Sequence, residues 1–170
     1  MGDETGIMIR VAIVEDFDLI REDLSELIAG QPDMEVAWQA ASGQEAVEKA
    51  GEQDADIVLM DIEMETINAG IAAAEKIRDQ GRGQQVIFLT AHETNQMIIT
   101  AMGTGAVDYV VKGCPDEEIL QHIRNAYGGK PVMESRIQET IMREYSRLQR
   151  SEQSLLFFIN NVSQLTAAER

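Results

Sequence analysis

Four apolar runs in the sequence end in side chains that could take part in chemistry. The residues at these ends are Glu15, Asp16, Asp61, Thr90 and Lys112. Three carboxylates in one place repel one another unless a hard cation such as Mg²⁺ joins them through oxygen ligands. A lysine and a hydroxyl suit the oxygens of a phosphoryl group, and a carboxylate can itself attack phosphorus. The set predicts a magnesium-dependent phosphoryl site, if the fold brings these ends together.

The order of the runs predicts such a fold, because strand-like runs alternate with helical segments. The predicted strands are 7–16, 34–42, 56–60, 85–90 and 106–111, and the predicted helices are 17–30, 42–53, 70–81, 95–105 and 115–129. This alternation is typical of a parallel sheet with helices on both faces. Ligands of such sheets bind outside the carboxyl ends of the strands. With strand order 2-1-3-4-5, the four chemically interesting ends share one pocket.

Local signals delimit several of the helices. Ser42 followed by Glu45 is a capping box for the second helix, and Gly30 is placed to end the first. The apolar residues expected on one buried face of that first helix are Leu19, Ile20, Leu24, Leu27 and Ile28. Trp38 is expected in the core, whereas His92 and His122 have no partner at metal-ligand spacing and are expected at the surface.

Composition excludes some classes of function. The 170 residues carry a formal net charge of −16, which repels phosphate backbones and anionic lipid surfaces, so this stretch is a poor nucleic-acid or membrane binder. The single cysteine, Cys114, rules out an internal disulfide and a cysteine-rich metal site. No signal peptide is evident and no apolar run reaches the roughly 20 residues of a membrane span. We therefore expect a cytoplasmic protein.

The stretch 134–164 differs from the rest, since it lacks glycine and proline and carries alternating charge. Its apolar residues follow a nearly heptad spacing, which predicts one long C-terminal helix. The apolar stripe could fold back on the preceding domain or pair with a second copy in a coiled coil, and the dimer is preferred.

Four motifs, VAIVEDFDLIRE, DIVLMDIEM, VIFLTAHE and DYVVKG, occur in this order within 7–129. Together they resemble the receiver domain of two-component response regulators. The resemblance implies an α/β, flavodoxin-like, doubly wound five-stranded parallel sheet with five helices. It implies three parts of the chain: a receiver domain at 7–129, a helical linker at 130–164 and the start of a truncated DNA-binding domain at 165–170.

The resemblance also implies roles for individual residues. Asp61 matches the phosphoacceptor, Asp16 the direct Mg²⁺ ligand and Glu15 its partner, which usually acts through water. The backbone carbonyl of Glu63 matches a further metal ligand, and Lys112 matches the lysine that pairs with the phosphoryl group.

Two further positions match the switch of the family. Thr90 is the hydroxyl that moves towards the phosphoryl group, and Tyr109 is the aromatic residue that turns inward on activation. Such a domain is not a metabolic enzyme, but it catalyses its own phosphorylation by a sensor histidine kinase and its own dephosphorylation. The face formed by the fourth helix, fifth strand and fifth helix then changes its partners, and it is the other candidate surface for a homodimer.

The sequence departs from the family pattern in the loop after Asp61. Glu65 stands where a proline is usual, and Gly70 lies nine residues after the acceptor, where a glycine eight residues after it is usual. A proline would stiffen this backbone, so the departure leaves the position of the Glu63 carbonyl open.

The last residues, LTAAER at 165–170, resemble the opening of a LuxR-type helix-turn-helix. Binding to DNA is then expected only through a domain missing from this stretch. Two other functions stay open: a binding module that works without phosphorylation, and a phosphohydrolase of the haloacid dehalogenase type. The second is disfavoured because that family needs an aspartate where Glu63 stands.

Overall fold

The structure is a computed structural model that describes residues 7–66, 68–91 and 95–129 together with Arg143 and Arg147, except for the side chains of 95–98. Strands and helices alternate through the first part of the chain, as predicted. The elements are β1 (Ile9–Val14), α1 (Asp18–Ala29), β2 (Met34–Ala40), α2 (Gly43–Glu52), β3 (Ile57–Asp61), α3 (Ala69–Asp79), β4 (Gln85–Thr90), α4 (Asn95–Gly103), β5 (Asp108–Val111) and α5 (Asp116–Tyr127).

The strands form one parallel sheet in the order β2-β1-β3-β4-β5, which confirms the predicted fold. The register aligns the carboxyl ends of neighbouring strands: Val14 is level with Met60, and Asp61 with Leu89. Thr90 is in turn level with Val111, the residue before Lys112. The residues that follow these strands therefore meet at one edge of the sheet.

Both faces of the sheet are covered by helices, so β3 is apolar along its length. Ile57 and Leu59 belong to the core cluster that α1 and α5 cover. Val58 and Met60 belong to the cluster beneath α2, α3 and α4, where Trp38 is also buried as predicted. Since successive side chains of a strand point to opposite faces, a strand buried on both sides needs a continuous apolar run.

The helix signals of the sequence are only partly confirmed. Ser42 caps α2, because its hydroxyl accepts a hydrogen bond from the N–H of Glu45 at 3.1 Å. The Glu45 carboxylate accepts from the N–H of Ala41 at 3.0 Å rather than from Ser42. The expectation for the start of α1 was wrong: Leu19 is 66% exposed and Ile20 36%.

The chain divides into two units, Met1–Glu134 and Ser135–Arg170. In the second unit the structure describes only Arg143 and Arg147, both helical. The predicted linker helix, its dimer seam and the start of the helix-turn-helix otherwise lie outside the described residues, as does His92. No helix in the described part of the chain combines the length and apolar character of a membrane span.

Gly70 allows the beginning of α3 to approach the end of β3 very closely. Its N–H donates to the carbonyl oxygen of Ile62 at 2.8 Å. A Cβ atom at Gly70 would lie 2.0 Å from the carbonyl oxygen of Asp61 and 2.8 Å from the Cα of Ile62. Both neighbours are backbone atoms, so a larger residue would displace the loop or the helix.

We expect Gly70→Ala to lower the free energy of unfolding by at least about 1–3 kcal/mol, the usual range for overpacking. Gly51→Ala is the matched control, because a Cβ at that position in α2 meets only the side chain of Gln80, at 3.5 Å, and alanine favours a helix by about 1 kcal/mol over glycine. Urea unfolding followed by the fluorescence of Trp38 measures both. A Gly70→Ala protein as stable as the Gly51→Ala protein would contradict the close approach.

His122 of α5 forms a buried pair with Asp108 of β5, so its expected place at the surface was wrong. The Nδ1 of His122 lies 2.5 Å from Oδ2 of Asp108, and the two side chains are 13% and 2% exposed. The hydrogen bond to Asp108 raises the pKa of His122; burial opposes this, while the charges of Asp108 and of Glu118 support it.

This pair makes stability depend on pH. Because the folded pKa of His122 lies above its unfolded value of about 6.5, its contribution is complete below that value and is lost as the pH rises through the folded pKa. We expect the free energy of unfolding to fall over this range more steeply in the wild type than in His122→Gln. Equal slopes in urea titrations across pH would show that the pair does not form.

Candidate functional site

Asp61 lies at the carboxyl edge of the sheet and is almost fully buried. It is the last residue of β3, and only 3% of its surface is exposed. The next residue, Ile62, still donates its N–H to the carbonyl oxygen of Leu89 in β4, at 3.2 Å. The backbone beneath the Asp61 carboxylate is therefore held by the sheet on both sides of that residue.

Two further carboxylates come from the end of β1, the neighbour of β3. Glu15 is fully buried and Asp16 is exposed. One carboxylate oxygen from each of Glu15, Asp16 and Asp61 lies within 4.8 Å of the others. The backbone of Glu15 is held by Ala40, whose carbonyl accepts its N–H at 3.0 Å, and by Arg21, which donates to its carbonyl oxygen at 2.8 Å.

Lys112 bridges the two buried carboxylates. Its Nζ lies 2.8 Å from Oε1 of Glu15 and donates to Oδ2 of Asp61 at 3.0 Å. Burial favours the neutral amine, yet the hydrogen bonds and charges of Glu15 and Asp61 raise the pKa of Lys112 above its ordinary value. The lysine is therefore a fixed positive charge at neutral pH.

The cluster remains short of positive charge. Three carboxylates and one ammonium give −3 and +1, a formal charge of −2 in the group formed by Glu15, Asp16, Asp61 and Lys112. Burial, followed by the hydrogen bond and the charge of Glu15, raises the pKa of Asp16. Closely spaced oxygen donors that carry this excess charge fit a divalent hard cation such as Mg²⁺.

Thr90 completes the set that the sequence predicted. It is the last residue of β4 and is 2% exposed, and its carbonyl oxygen accepts the N–H of Lys112 at 2.8 Å. A cleft of about 150 Å³ joins all of these groups. Its lining residues are Glu15, Asp16, Phe17, Ile20, Asp61, Ile62, Glu63, Thr90, Ala91 and Lys112. The structure thus brings the five predicted side chains to one small opening.

Two other predicted residues have different surroundings. Glu63 lines the cleft but is exposed. Tyr109 of β5 is partly buried and packs against the core cluster beneath α2, α3 and α4. Their roles as a carbonyl ligand and as a switch stay predictions.

Sequence reasoning missed the contact made by Glu65. Its carboxylate accepts hydrogen bonds from the N–H groups of Gly43, at 2.7 Å, and of Gln44, at 3.1 Å. Burial opposes ionisation, but these hydrogen bonds hold the pKa of Glu65 below its usual range. No spacing rule could reveal this contact, because it joins a loop to the first turn of a helix that precedes it by 21 and 22 residues.

Comparison with known proteins identifies the family to which this five-stranded fold belongs. The model of the response regulator receiver domain family matches residues 11–124. The chain belongs to this family. The predicted family is thereby confirmed, and the cleft lies in the receiver domain.

Three relatives illustrate the likeness. The oxygen regulatory protein NreC of Staphylococcus aureus is 30% identical over 136 residues, which are 80% of this chain and 63% of NreC. A LuxR-family two-component response regulator from an Aurantimonas species is 29% identical, with a TM-score of 0.70 over 81% of this chain and 97% of that one. A chain in a CheX–CheY–BeF3–Mg complex from Borrelia burgdorferi is 26% identical to the present chain. The two superpose with a TM-score of 0.67, over 75% of the present chain and 95% of the Borrelia chain. The present chain therefore spans less than two thirds of the length of NreC.

Replacing Lys112 tests the charge balance of the cleft. We expect Lys112→Met to lower the free energy of unfolding by on the order of 3 kcal/mol, because it leaves Glu15 buried without its counter-charge. The double variant Glu15→Gln/Lys112→Met should recover only the part of this loss that is due to Glu15, because the buried carboxylate of Asp61 still lacks its counter-charge. Urea unfolding in buffer without divalent cations measures the wild type, the single variants Lys112→Met and Glu15→Gln, and the double variant. Additive losses in the double variant would show that the two side chains do not interact.

Proposed function

We propose that this receiver domain accepts a phosphoryl group on Asp61 from the phosphohistidine of a sensor histidine kinase, in a Mg²⁺-dependent reaction, and so controls a transcriptional output domain. One observation carries the proposal: a buried carboxylate with an ammonium 3.0 Å from it, beside two further carboxylates within 4.8 Å. A carboxylate serves as nucleophile towards phosphorus when the charge of the transfer is compensated nearby.

In the proposed step, one oxygen of Asp61 attacks phosphorus and forms the new P–O bond of an acyl phosphate. The P–N bond of the donor breaks, and its electron pair returns to the imidazole nitrogen of the kinase. Lys112 would pair with the oxygens of the transferred group, and the hydroxyl of Thr90, which lines the same cleft, would donate a hydrogen bond to one of them. Hydrolysis of the acyl phosphate by water would later restore Asp61.

The proposal assigns four ligand groups to the Mg²⁺ ion. Asp16 and Asp61 would hold Mg²⁺ directly, Glu15 would act through water, and the carbonyl of Glu63 would add a backbone ligand. When bound, the ion supplies positive charge that lets a phosphoryl group approach the carboxylates. The Mg²⁺ in the complex of the Borrelia burgdorferi relative supports this choice of ion.

The response to phosphorylation is proposed to run through Thr90 and Tyr109. Thr90 is the last residue of β4, and Tyr109 is level with Phe88 of that strand. A shift of the hydroxyl towards the phosphoryl group would let the aromatic ring turn inward and change the face formed by α4, β5 and α5. This is a local charge event that biases a two-state element.

The proposed output is regulation of transcription in the cytoplasm, since such regulators act where the DNA is. The LuxR-family response regulator from the Aurantimonas species supports this class. The dimer would form through 134–164 or through the α4-β5-α5 face, and DNA would bind only to a domain beyond 165–170. The boundaries 7–129, 130–164 and 165–170 belong to the same proposal.

Intact mass spectrometry after incubation with Mg²⁺ and acetyl phosphate tests the proposed acceptor. We expect the wild type to gain the mass of one phosphoryl group and Asp61→Asn to gain none, because the amide cannot form the acyl phosphate. Excess EDTA should suppress the gain in the wild type.

Asp56→Asn is the matched control, because Asp56 is a partly buried aspartate that directly precedes β3, at the opposite end of the strand from Asp61, and accepts the N–H of Arg10 at 2.9 Å. It should be phosphorylated like the wild type. Phosphorylation of Asp61→Asn, or none in the wild type, would overturn the proposed acceptor.

A further inference from the structure

The loop after Asp61 lacks the usual proline but is tied down by Glu65. We propose that Glu65 is a positioning residue for the cation site: it tethers the β3–α3 loop to the first turn of α2 and so places the backbone of Glu63. The inference rests on the proposed Mg²⁺ site of the receiver and extends it to a residue that does not touch the ion.

Both carboxylate oxygens of Glu65 are bound by the first turn of α2. The first N–H groups of a helix have no partner within the helix and carry partial positive charge. In α2 the N–H groups of Gly43 and Gln44 donate to the two carboxylate oxygens of Glu65, and that of Glu45 donates to the hydroxyl of Ser42. Glu65 thus uses both of its oxygens in charge-assisted hydrogen bonds, which are the stronger kind.

Glu63 lies between two loop residues that are both held by hydrogen bonds. Ile62 is fixed on one side, because its N–H donates to Leu89 and its carbonyl accepts from Gly70, at 3.2 and 2.8 Å. Glu65 is fixed on the other side by α2. Glu63 is therefore separated from each anchor by at most one residue, and the direction of its carbonyl depends on both.

The helix α2, to which Glu65 is bound, is itself packed firmly into the domain. Ala46 and Ala50 of α2 are fully buried in the core. Gly43 packs so close to Ala69 at the start of α3 that a Cβ atom would lie 2.9 Å from the Ala69 carbonyl oxygen. The first turn of α2 is therefore held in place by the core, and the carboxylate of Glu65, although exposed, links the loop to this fixed turn.

A simpler role for Glu65 would be that of a cap that only stabilises α2. Ser42 separates the two roles, because its hydroxyl caps the same turn but belongs to the segment before α2 and not to the β3–α3 loop. Loss of either cap should cost stability, on the order of 1 kcal/mol. Only the loss of Glu65 should change the affinity for the cation.

Calorimetric titration of the unphosphorylated 170-residue chain with Mg²⁺ distinguishes the two roles. We expect Glu65→Ala to raise the dissociation constant about tenfold, the lower end of the range for residues that support metal ligands from outside. Glu65→Gln should give a smaller increase, since its amide retains one acceptor oxygen. Ser42→Ala should bind Mg²⁺ like the wild type, although its thermal unfolding midpoint falls.

Two results would overturn the inference: an unchanged Mg²⁺ affinity in Glu65→Ala, or an equal weakening in Ser42→Ala. A wild type that binds no Mg²⁺ would overturn it together with the proposed cation site.

The phosphorylation assay keeps the inference and the proposed function apart. Glu65→Ala should reach the wild-type extent of phosphorylation once Mg²⁺ is saturating, because no reacting group has been removed. If the affinity series holds while no variant accepts a phosphoryl group, Glu65 keeps its positioning role and the phosphoacceptor proposal fails. If phosphorylation is normal and the affinity series is flat, only the role of Glu65 fails.

Discussion

The structure of the site depends on one ammonium shared by two buried carboxylates. Lys112 lies 2.8 Å from Glu15 and 3.0 Å from Asp61. In water such pairs contribute little to stability. Here the carboxylates are 0% and 5% exposed, and burial makes an unpaired charge costly. Lys112 offsets part of the repulsion between these carboxylates. The cluster still carries excess negative charge at the opening of the cleft, which suits a divalent cation.

The charged cluster of Glu15, Asp16, Asp61 and Lys112 lies outside the apolar core, which limits the free energy lost by burying charge. The apolar clusters on both faces of the sheet are complete below the carboxyl edge, and the charged residues come after the strands or at their last position. Their mutual distances then follow from the sheet register. Slipping β3 by one residue would exchange its two faces and move Asp61 away from Lys112, so the apolar pattern of β3 also specifies the geometry of the cleft.

This division explains what the sequence could predict. The strands themselves follow from continuous apolar runs, which are local signals. The convergence of Glu15, Asp16, Asp61, Thr90 and Lys112 follows from the rule for parallel sheets once the strand order 2-1-3-4-5 is taken from the family resemblance. Leu19 and Ile20 fit the same helical period as Leu24, yet they are exposed. Period alone does not show that the first turn of α1 lies at the rim of the cleft, where Ile20 is one of the lining residues.

His122 was wrongly placed, and the contact of Glu65 was missed, for a different reason. Each is polar and has a partner far away in the chain: Asp108 for His122, and the first turn of α2 for Glu65. An isolated polar residue gives no sign of such a partner in one sequence. Apart from Leu19 and Ile20 at the start of α1, the errors therefore fall on long-range polar contacts, while the apolar pattern was sufficient to predict the strands and helices.

Glu65 also shows that a loop can be ordered in two physically different ways. A proline restricts its backbone in the folded and the unfolded chain alike, so it acts largely by reducing the entropy of the unfolded state. A carboxylate tether acts only after its anchor has formed. In this protein the anchor is the first turn of α2, which itself packs against α3. Order in the β3–α3 loop consequently depends on the assembly of α2, β3 and α3, whereas a proline would have made it a property of the loop itself.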